Sequence, residues 1–134
     1  MTTPEIKEIF QNYPLSLLLQ GQSDVKKIEK SLNKGHCFAA FDGESVVGVY
    51  VLRDMKDGSA EILNIAVIEN ARGKGLGKAL LDDARDRAGN DGYGELAVTV
   101  ETDAAARKFF EQNGFAVDAN AEMPTGFTRL SLPL

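Results

Sequence analysis

The sequence predicts one mixed α/β domain, in which an antiparallel meander of strands is followed by a βαβ crossover. Three observations lead to this prediction. The length of 134 residues fits a single hydrophobic core. In the first half, short apolar segments are separated by turns that contain Asp-Gly. In the second half, strand-like and helix-like segments alternate, which is typical of a sheet that mixes parallel and antiparallel pairs.

The N-terminal part of the chain has helical patterns. Thr3 and Pro4 have the residue types of an N-cap and a first helical position. Three apolar side chains then share one helical face: Ile6, Ile9 and Phe10. A second amphipathic helix is predicted over residues 24–32, with Ser23 as its N-cap and Gly35 at its end.

Three strands are predicted next. Segments 36–41 and 45–53 flank Asp42-Gly43, which is the strongest short-range signal for a β-hairpin. A further turn at Lys56-Asp-Gly-Ser59 leads into a third strand over residues 60–68. Because each turn is short, these strands are expected to form an antiparallel meander.

The second half alternates helices and strands. An apolar face predicts a helix over residues 76–87, and a short strand is predicted over residues 95–100. Thr102 or Asp103 is predicted to cap a helix that stops at Asn113-Gly114. Two closing strands are predicted over residues 115–117 and 127–132.

A glycine-rich segment, Arg72-Gly-Lys-Gly-Leu-Gly77, lies between the third strand and the next helix. Its alternating glycines allow a sharp turn and the close approach of another group. The loop N–H groups and the first free N–H groups of the helix form a concave donor array at the positive helix end. Arg72, Lys74 and Lys78 add formal positive charge. The segment therefore predicts a pyrophosphate-binding loop.

Two other nucleotide-binding motifs do not fit this loop. A Walker A loop requires Gly-x-x-x-x-Gly-Lys-Ser/Thr, but Arg72 stands at the first glycine position and Ala79 follows Lys78. A dinucleotide fingerprint that starts at Gly73 has Lys78 where the third glycine belongs. The loop also follows a meander, whereas the dinucleotide motif follows the opening strand of a βαβ unit.

The pattern Arg/Gln-x-x-Gly-x-Gly/Ala does fit, with Arg72, Gly75 and Gly77 at its fixed positions. Here the sequence resembles the GNAT superfamily of N-acetyltransferases, which bind CoA with this signature. A second family signature, Asn-x-x-Ala-x-x-Phe/Leu-Tyr-x-x-x-Gly-Phe, is similar to Asp103-x-x-Ala106-x-x-Phe109-Phe110-x-x-x-Gly114-Phe115. The resemblance covers roughly residues 36–132. It implies one GNAT domain over residues 1–134, with acetyl-CoA as cofactor and CoA as product.

The resemblance also implies where the cofactor lies. Seven loop residues would bind it: Arg72, Gly73, Lys74, Gly75, Leu76, Gly77 and Lys78. The pantetheine arm would lie like an extra half-strand beside Ile65, Ala66 and Val67, with the Ile65 N–H polarising the thioester oxygen. The second signature implies that three further residues lie along the CoA arm: Asp103, Phe109 and Phe110.

Besides Asp103, which replaces the usual Asn of the second signature, two features depart from the family pattern. Many members have Tyr at the position of Phe110, where it protonates the leaving thiolate, and Phe cannot do so. The alternatives for this proton are water and three side chains: Tyr50, Tyr93 and Cys37. Members also usually open with a strand, whereas this chain opens with a helical pattern. The candidate first strand is the leucine-rich segment 15–19, whose leucines are equally compatible with a helical core.

Glu61 is the predicted general base. Period-two alternation places Glu61 on one face of the third strand with Leu63, Ile65 and Val67. Because both faces are nearly all apolar, the strand is expected to be buried on both sides, where an unpaired carboxylate has a raised pKa. In family members that use a carboxylate base, it occupies this position relative to the loop. Asn64 on the same strand is expected to bond either substrate or a split in the sheet.

Composition argues against several other classes of protein. A net charge of -5 without a Lys/Arg-rich run argues against a nucleic-acid partner. The apolar runs are too short to span a bilayer, and the N-terminus lacks the pattern of a signal peptide. His36 is the only histidine, and no spacing predicts a metal site. A single cysteine, Cys37, excludes an intramolecular disulfide and favours a cytoplasmic location.

We therefore expect an N-acetyltransferase that moves an acetyl group from acetyl-CoA to a primary amine of a small molecule or protein. The amine would attack directly within a ternary complex, with no metal required. The missing tyrosine keeps one alternative open, a catalytically weak or inactive acyl-CoA-binding or sensing module. The family often dimerises, so a homodimer is compatible with the resemblance.

Overall fold

The computed structural model describes residues 4–134, and within them seven strands form one mixed sheet with four α-helices. The strands are β1 (Glu5–Ile9), β2 (His36–Asp42), β3 (Ser45–Asp54), β4 (Ser59–Val67), β5 (Glu95–Glu101), β6 (Ala116–Val117) and β7 (Phe127–Pro133). The helices are α1 (Leu15–Gly21), α2 (Val25–Lys34), α3 (Leu76–Asn90) and α4 (Ala105–Gln112). None of these helices is long and apolar enough to cross a membrane.

The sheet has the order β1-β2-β3-β4-β5-β7-β6. Strands β1 to β4 pair antiparallel, β5 joins β4 in parallel, and β7 pairs antiparallel with both β5 and β6. The predicted meander and crossover are therefore confirmed. In the first hairpin Asp42 pairs with Ser45, and Gly43 has the positive φ of 62° that such a short turn requires.

Helices cover both faces of the sheet. On one side of the sheet, α3 and Phe110 of α4 pack against the strands. Five residues of α3 are buried there: Leu76, Leu80, Leu81, Ala84 and Ala88. On the other side Leu17 and Leu18 of α1 and Ile28 of α2 pack over Val49 and Val51 of β3. The two cores hold the central strands between layers of helix, as in other α/β sheets with helices on both faces.

The helix predicted at the N-terminus is wrong for the residues that the structure describes. Residues 5–9 pair with β2 from Glu5↔Phe41 to Ile9↔Cys37 as the first strand of the sheet. Ile6 packs against the core under α3, whereas Ile9 packs against the core under α1. Only the period-two geometry of a strand sends these two side chains to opposite faces. Thr3, the predicted cap, lies outside the described residues.

The leucine-rich segment is helical, so the candidate first strand at residues 15–19 is also wrong. These residues form most of α1, and Leu17 and Leu18 are buried against the sheet. Strand β1 already provides the opening strand that the family resemblance implies. The following helix, α2, is confirmed, although Asp24 rather than Ser23 caps it, accepting a hydrogen bond from the Lys26 N–H at 3.0 Å.

A β-bulge in β4 changes which residues share a face. Val51 of β3 pairs with Asn64, but Leu52 pairs with Ile62, so Leu63 is an extra residue in β4. Ile62 before the bulge and Ile65 after it both pack under α3. The predicted alternation of Glu61, Leu63, Ile65 and Val67 on one face is therefore wrong. Full burial on both sides is wrong as well, because these four side chains are half-buried.

Candidate active site

The sheet splits between its two central strands. Parallel pairing of β4 and β5 runs from Ser59↔Glu95 to Ile62↔Val98 and stops there, although both strands continue. A cavity of about 230 Å³ lies in the split, lined by residues 62–65 of β4 and residues 98–100 of β5. Gly21 of α1 and Phe110 of α4 complete its wall. The split therefore exposes the backbone edges of two strands to a ligand.

Backbone groups of β4 point into this split. The Ile68 N–H donates to the Val47 carbonyl at 3.0 Å, which turns residue 68 towards β3. Peptide groups alternate along an antiparallel strand, so those of Ala66 also face β3, whereas those of Val67 and Ile65 face β5. Since β5 does not pair with this part of β4, the Ile65 N–H is available to a ligand. The role predicted for this group stays a prediction.

The glycine loop forms a cradle of donors. Gly73 and Gly75 have positive φ of 75° and 83°, and α3 begins at Leu76. The first helical N–H with a backbone acceptor is that of Ala79, which donates to the Gly75 carbonyl at 3.0 Å. The N–H groups of the first helical turn before it have no intrahelical acceptor. Apart from the adjacent residues in the chain, no atom of residues 4–134 lies within 4 Å of where a Cβ would stand on Gly73 or Gly75. The room and the donors fit a pyrophosphate.

The three cations of the loop point in different directions. Lys78 forms an ion pair with Asp82 at 2.8 Å, and Lys74 is exposed beside a cavity of about 180 Å³. The Arg72 guanidinium turns towards α1, with Nε donating to the Val67 carbonyl at 3.2 Å and another nitrogen donating to Gln20 Oε1 at 2.5 Å. Arg72 thus links the loop to α1.

Of the three residues of the second signature that were predicted along the CoA arm, Phe110 lines the split, whereas Phe109 and Asp103 do not line it. Phe110 is 2% exposed and packs edge-to-face against Phe109 and Phe115. The Phe109 ring lies 3.5 Å from the Cβ position of Gly77, so α4 packs against the start of α3. Asp103 is exposed, and α4 has Ala104 at its N-cap position without a side-chain hydrogen bond. The predicted caps of this helix, Thr102 and Asp103, are therefore wrong.

Glu61 lies at the closed end of the split, on the face of the sheet that carries α1. It is half-buried, and its Oε1 accepts a hydrogen bond from Thr99 Oγ1 at 2.8 Å. Thr99 in turn lines the cavity, whereas Glu61 stands behind it. Sequence reasoning missed Thr99, although it is the only polar side chain within the apolar run Leu96-Ala-Val-Thr-Val100.

None of the three side chains considered as substitutes for the missing tyrosine lines the split. Tyr50 is buried and donates a hydrogen bond to Asp83 at 2.6 Å. Burial raises the pKa of Tyr50, and this hydrogen bond raises it further. Burial raises the pKa of the Cys37 thiol to about 12, and Cys37 belongs to the core under α1. Tyr93 lies beside a separate cavity with Asp54 and Arg87. Water remains as the alternative proton donor.

Asn64 joins α1 to the strand at the bulge. Its Nδ2 donates to the Leu18 carbonyl at 3.0 Å, while its Oδ1 is buried without a partner among the described residues. A Cβ on Gly21 would stand 2.0 Å from that oxygen, so only glycine fits at the end of α1. The sequence left open whether Asn64 bonds substrate or a split in the sheet, and both stay open, because its amide bonds α1 while the residue also lines the cavity. Gly21 was not identified from the sequence as part of this contact.

Comparison with known proteins gives one consistent family. The sequence profile of the acetyltransferase (GNAT) family matches residues 3–115. The uncharacterized N-acetyltransferase YvbK of Bacillus subtilis (strain 168) is 32% identical over 108 residues, covering 80% of this chain and 68% of that protein.

Solved structures agree in fold. The IAA acetyltransferase from Bacillus cereus ATCC 14579 has a TM-score of 0.86 at 29% identity, covering 97% of this chain and 99% of that one. A Bacillus subtilis acetyltransferase in complex with CoA has a TM-score of 0.86 at 25% identity, covering 98% and 99% of the two chains. The predicted fold class is thus confirmed, and the chain belongs to the GNAT family of acetyltransferases.

Proposed function

We propose that the protein transfers an acetyl group from acetyl-CoA to a primary amine, with both substrates bound at once in the split. The observation that carries this proposal is the juxtaposition of two features. A donor-lined glycine cradle lies at the start of α3, and the adjacent strands β4 and β5 separate beyond Ile62 and Val98. The CoA complex of the Bacillus subtilis relative supports CoA as the group that such a cradle holds.

The cradle and the split have separate roles in binding. The N–H groups of residues 73–78 would hold the pyrophosphate, and the free backbone edge of Ile65 to Val67 would align the pantetheine arm. The bound thioester supplies an activated acetyl group. The Ile65 N–H then donates a hydrogen bond to the thioester oxygen, where negative charge develops as the amine attacks.

Glu61 is the residue that we assign as general base. It takes a proton from the substrate ammonium through water or after a small shift of Thr99, whose hydroxyl lies between Glu61 and the cavity. The hydrogen bond from Thr99 also orients the carboxylate. No side chain of the split donates a proton to the thiolate, which is a tolerable leaving group because a free thiol has a pKa of about 8.5.

A second candidate function is an acyl-CoA-binding module that does not catalyse transfer. It is favoured by one observation, the apolar Phe110 at the position where many family members have a tyrosine. Such a module would bind acetyl-CoA through the same cradle but would consume it no faster in the presence of an amine.

The two candidates are separated by following free thiol release from acetyl-CoA with a panel of primary amines, with mass spectrometry of the acceptor. We expect many turnovers per protein molecule and an acetylated amine. Calorimetric binding of acetyl-CoA without turnover on any amine would support the binding module instead. The absence of CoA binding would overturn both candidates.

A further inference from the structure

A second cavity extends the split towards solvent on the α1 side. Its volume is about 390 Å³, and it shares Gln20, Gly21, Thr99, Val100 and Ala106 with the cavity between the strands. Its outer wall consists of Gln22 and Ser23 after α1, together with the ends of β5 and β7. We name this space the outer cleft. An acceptor whose amine reaches Thr99 would fill it.

One charged side chain lines the outer cleft among residues 4–134, and it is Glu101. Arg107 of α4 lies close to this end of β5, with Nη1 donating to the Thr102 carbonyl at 3.3 Å, and it is paired with Glu111 at 3.4 Å. Arg72 is engaged with Gln20 and with the Val67 carbonyl. Arg129, on the neighbouring strand, is paired with both Asp118 and Glu95. No lining residue therefore offers a cation to an acidic acceptor.

An aromatic ring lies next to this carboxylate. Phe127 is the cross-strand partner of Glu101 at the end of β5, and it is 43% exposed. Directly opposite residues on antiparallel strands have their Cβ atoms close together on the same face. A ring face beside a carboxylate favours an ammonium group, which gains both an ion pair and a cation–π contact.

The spacing along the strand sets the length of such an acceptor. Ala97 pairs with Glu61, and Thr99 and Glu101 follow on the same face of β5. With a rise of about 3.3 Å per residue, Glu101 lies about 7 Å beyond Thr99 and about 13 Å beyond the level of Glu61. An acceptor that spans these positions therefore carries its second charge about 7 to 13 Å from the reacting nitrogen.

We infer that the acceptor is a linear amine with a second positive charge, which Glu101 and Phe127 bind while the reacting amine lies at Thr99 and Glu61. This inference rests on the proposed acetyl transfer and specifies its substrate class. Acceptors that carry a carboxylate at the same distance are disfavoured, because their charge would face Glu101.

The test compares α,ω-diamines from butane to decane with n-alkylamines of the same length, in assays of kcat/KM. At low salt we expect the longer diamines to be preferred by about 5- to 30-fold, the effect of one partly exposed ion pair and one cation–π contact. The preference should shrink as ionic strength rises.

Glu101→Gln and Phe127→Leu should each lower the diamine-to-monoamine ratio by about threefold or more. Glu44→Gln, an exposed change in the β2–β3 turn, should leave the ratio at its wild-type value.

The outcomes separate this inference from the proposed function. Acetylation of both amine types with a ratio near one, or a ratio unaffected by Glu101→Gln, overturns the inference and leaves acetyl transfer standing. If no amine is acetylated, calorimetric titration of the CoA-bound protein with octane-diamine still decides the matter. Binding that Glu101→Gln weakens supports the cationic cleft, and no detectable binding overturns it.

Discussion

At the scale of single residues, Gly75 of the glycine loop combines a positive φ with a position beside the free N–H groups of α3. Gly75 has a φ of 83°, which L side chains rarely adopt, and it stands immediately before the free N–H groups of α3. Both the strain and the charge of a substituted side chain would therefore affect the site. Asn and Asp tolerate this backbone conformation better than other residues, and they differ from each other in charge but hardly in shape.

This pair of side chains provides a matched test of the proposed pyrophosphate site. We expect Gly75→Asp to bind CoA at least tenfold more weakly than Gly75→Asn, because only the aspartate repels the pyrophosphate. Strain at the positive φ is common to both variants, so it cancels in the comparison. Calorimetric titration with CoA gives the two affinities. Equal affinities for the two variants would remove the loop from the cofactor site.

Phe110 supplies a second residue-scale prediction. Its ring is part of the wall of the split, at the position where many family members have a tyrosine. Phe110→Tyr should therefore keep or raise kcat, because it restores a proton donor for the thiolate, and general acid help is typically worth about 10²- to 10⁴-fold. Turnover and CoA affinity are the measurements. A large loss of kcat at unchanged CoA affinity would show that the apolar ring serves another purpose.

At the scale of elements, a contact between the end of α1 and Asn64 of β4 forms one side of the split. Asn64 binds the carbonyl of Leu18, and Gly21 leaves the space that the amide of Asn64 occupies. The bulge at Leu63 turns Asn64 towards α1, since Val51 and Leu52 pair with Asn64 and Ile62. Helix, bulge and amide together fix where the unpaired part of β4 begins.

Two glycine-to-alanine changes near helix ends test this contact between α1 and β4. In Gly21→Ala the new Cβ would meet Asn64 Oδ1 at 2.0 Å, so we expect a loss of about 1–3 kcal/mol in the free energy of unfolding. Gly89→Ala near the end of α3 has no atom within 4 Å, and it should instead gain about 0.5–1 kcal/mol from helix propensity. Urea denaturation measures both. Similar effects in the two variants would contradict the close packing at Gly21.

Elements with strong local signals could be predicted from the sequence, whereas those set by tertiary pairing could not. The hairpin at Gly43 and the loop before α3 follow from turn chemistry and glycine spacing, and both are confirmed. Residues 5–9 carry a helical pattern but become β1, because pairing with β2 outweighs a weak local preference. The bulge at Leu63 has no signal in the apolar run around it, so the environment of Glu61 was predicted as more buried than it is.

At the scale of the whole molecule, two cores on opposite faces hold the sheet in place while the split stays accessible. Cys37 lies in the core under α1 at 3% exposure, which makes the only thiol of the chain a reporter of global opening. Burial, with a smaller contribution from Glu8, raises its pKa from 9.0 to about 12. The folded protein therefore keeps this thiol protonated at alkaline pH values at which a free thiol ionises.

Thiol labelling and alkaline stability follow from this environment. We expect Ellman's reagent to modify Cys37 in the native protein at least about 10³-fold more slowly than in the unfolded chain, since the thiolate is the nucleophile. Because the folded pKa is the higher one, the thiol stabilises the fold below about pH 9, and this contribution is lost as the pH rises towards about 12. Cys37→Ala should remove that part of the alkaline loss. Rapid labelling of the native protein would contradict the buried position.

The proposed mechanism depends above all on Glu61 as general base. Glu61→Gln keeps the size of the side chain and can still accept the hydrogen bond from Thr99, but it cannot take a proton from an ammonium. Loss of a general base typically costs about 10²- to 10⁴-fold in kcat. The acetyl-CoA KM should change little, because the proposed cofactor contacts lie at the cradle and along residues 65–67.

The most direct measurement is therefore the pH dependence of kcat for the wild type and Glu61→Gln with one amine acceptor. We expect a deficit of about 10²- to 10⁴-fold at neutral pH that narrows as the pH rises, because an amine that is already deprotonated needs no base. A variant that turns over near the wild-type rate at neutral pH would contradict the assignment. A deficit that stays constant across the pH range would show that Glu61 holds the substrate or the strand in place and does not accept the proton.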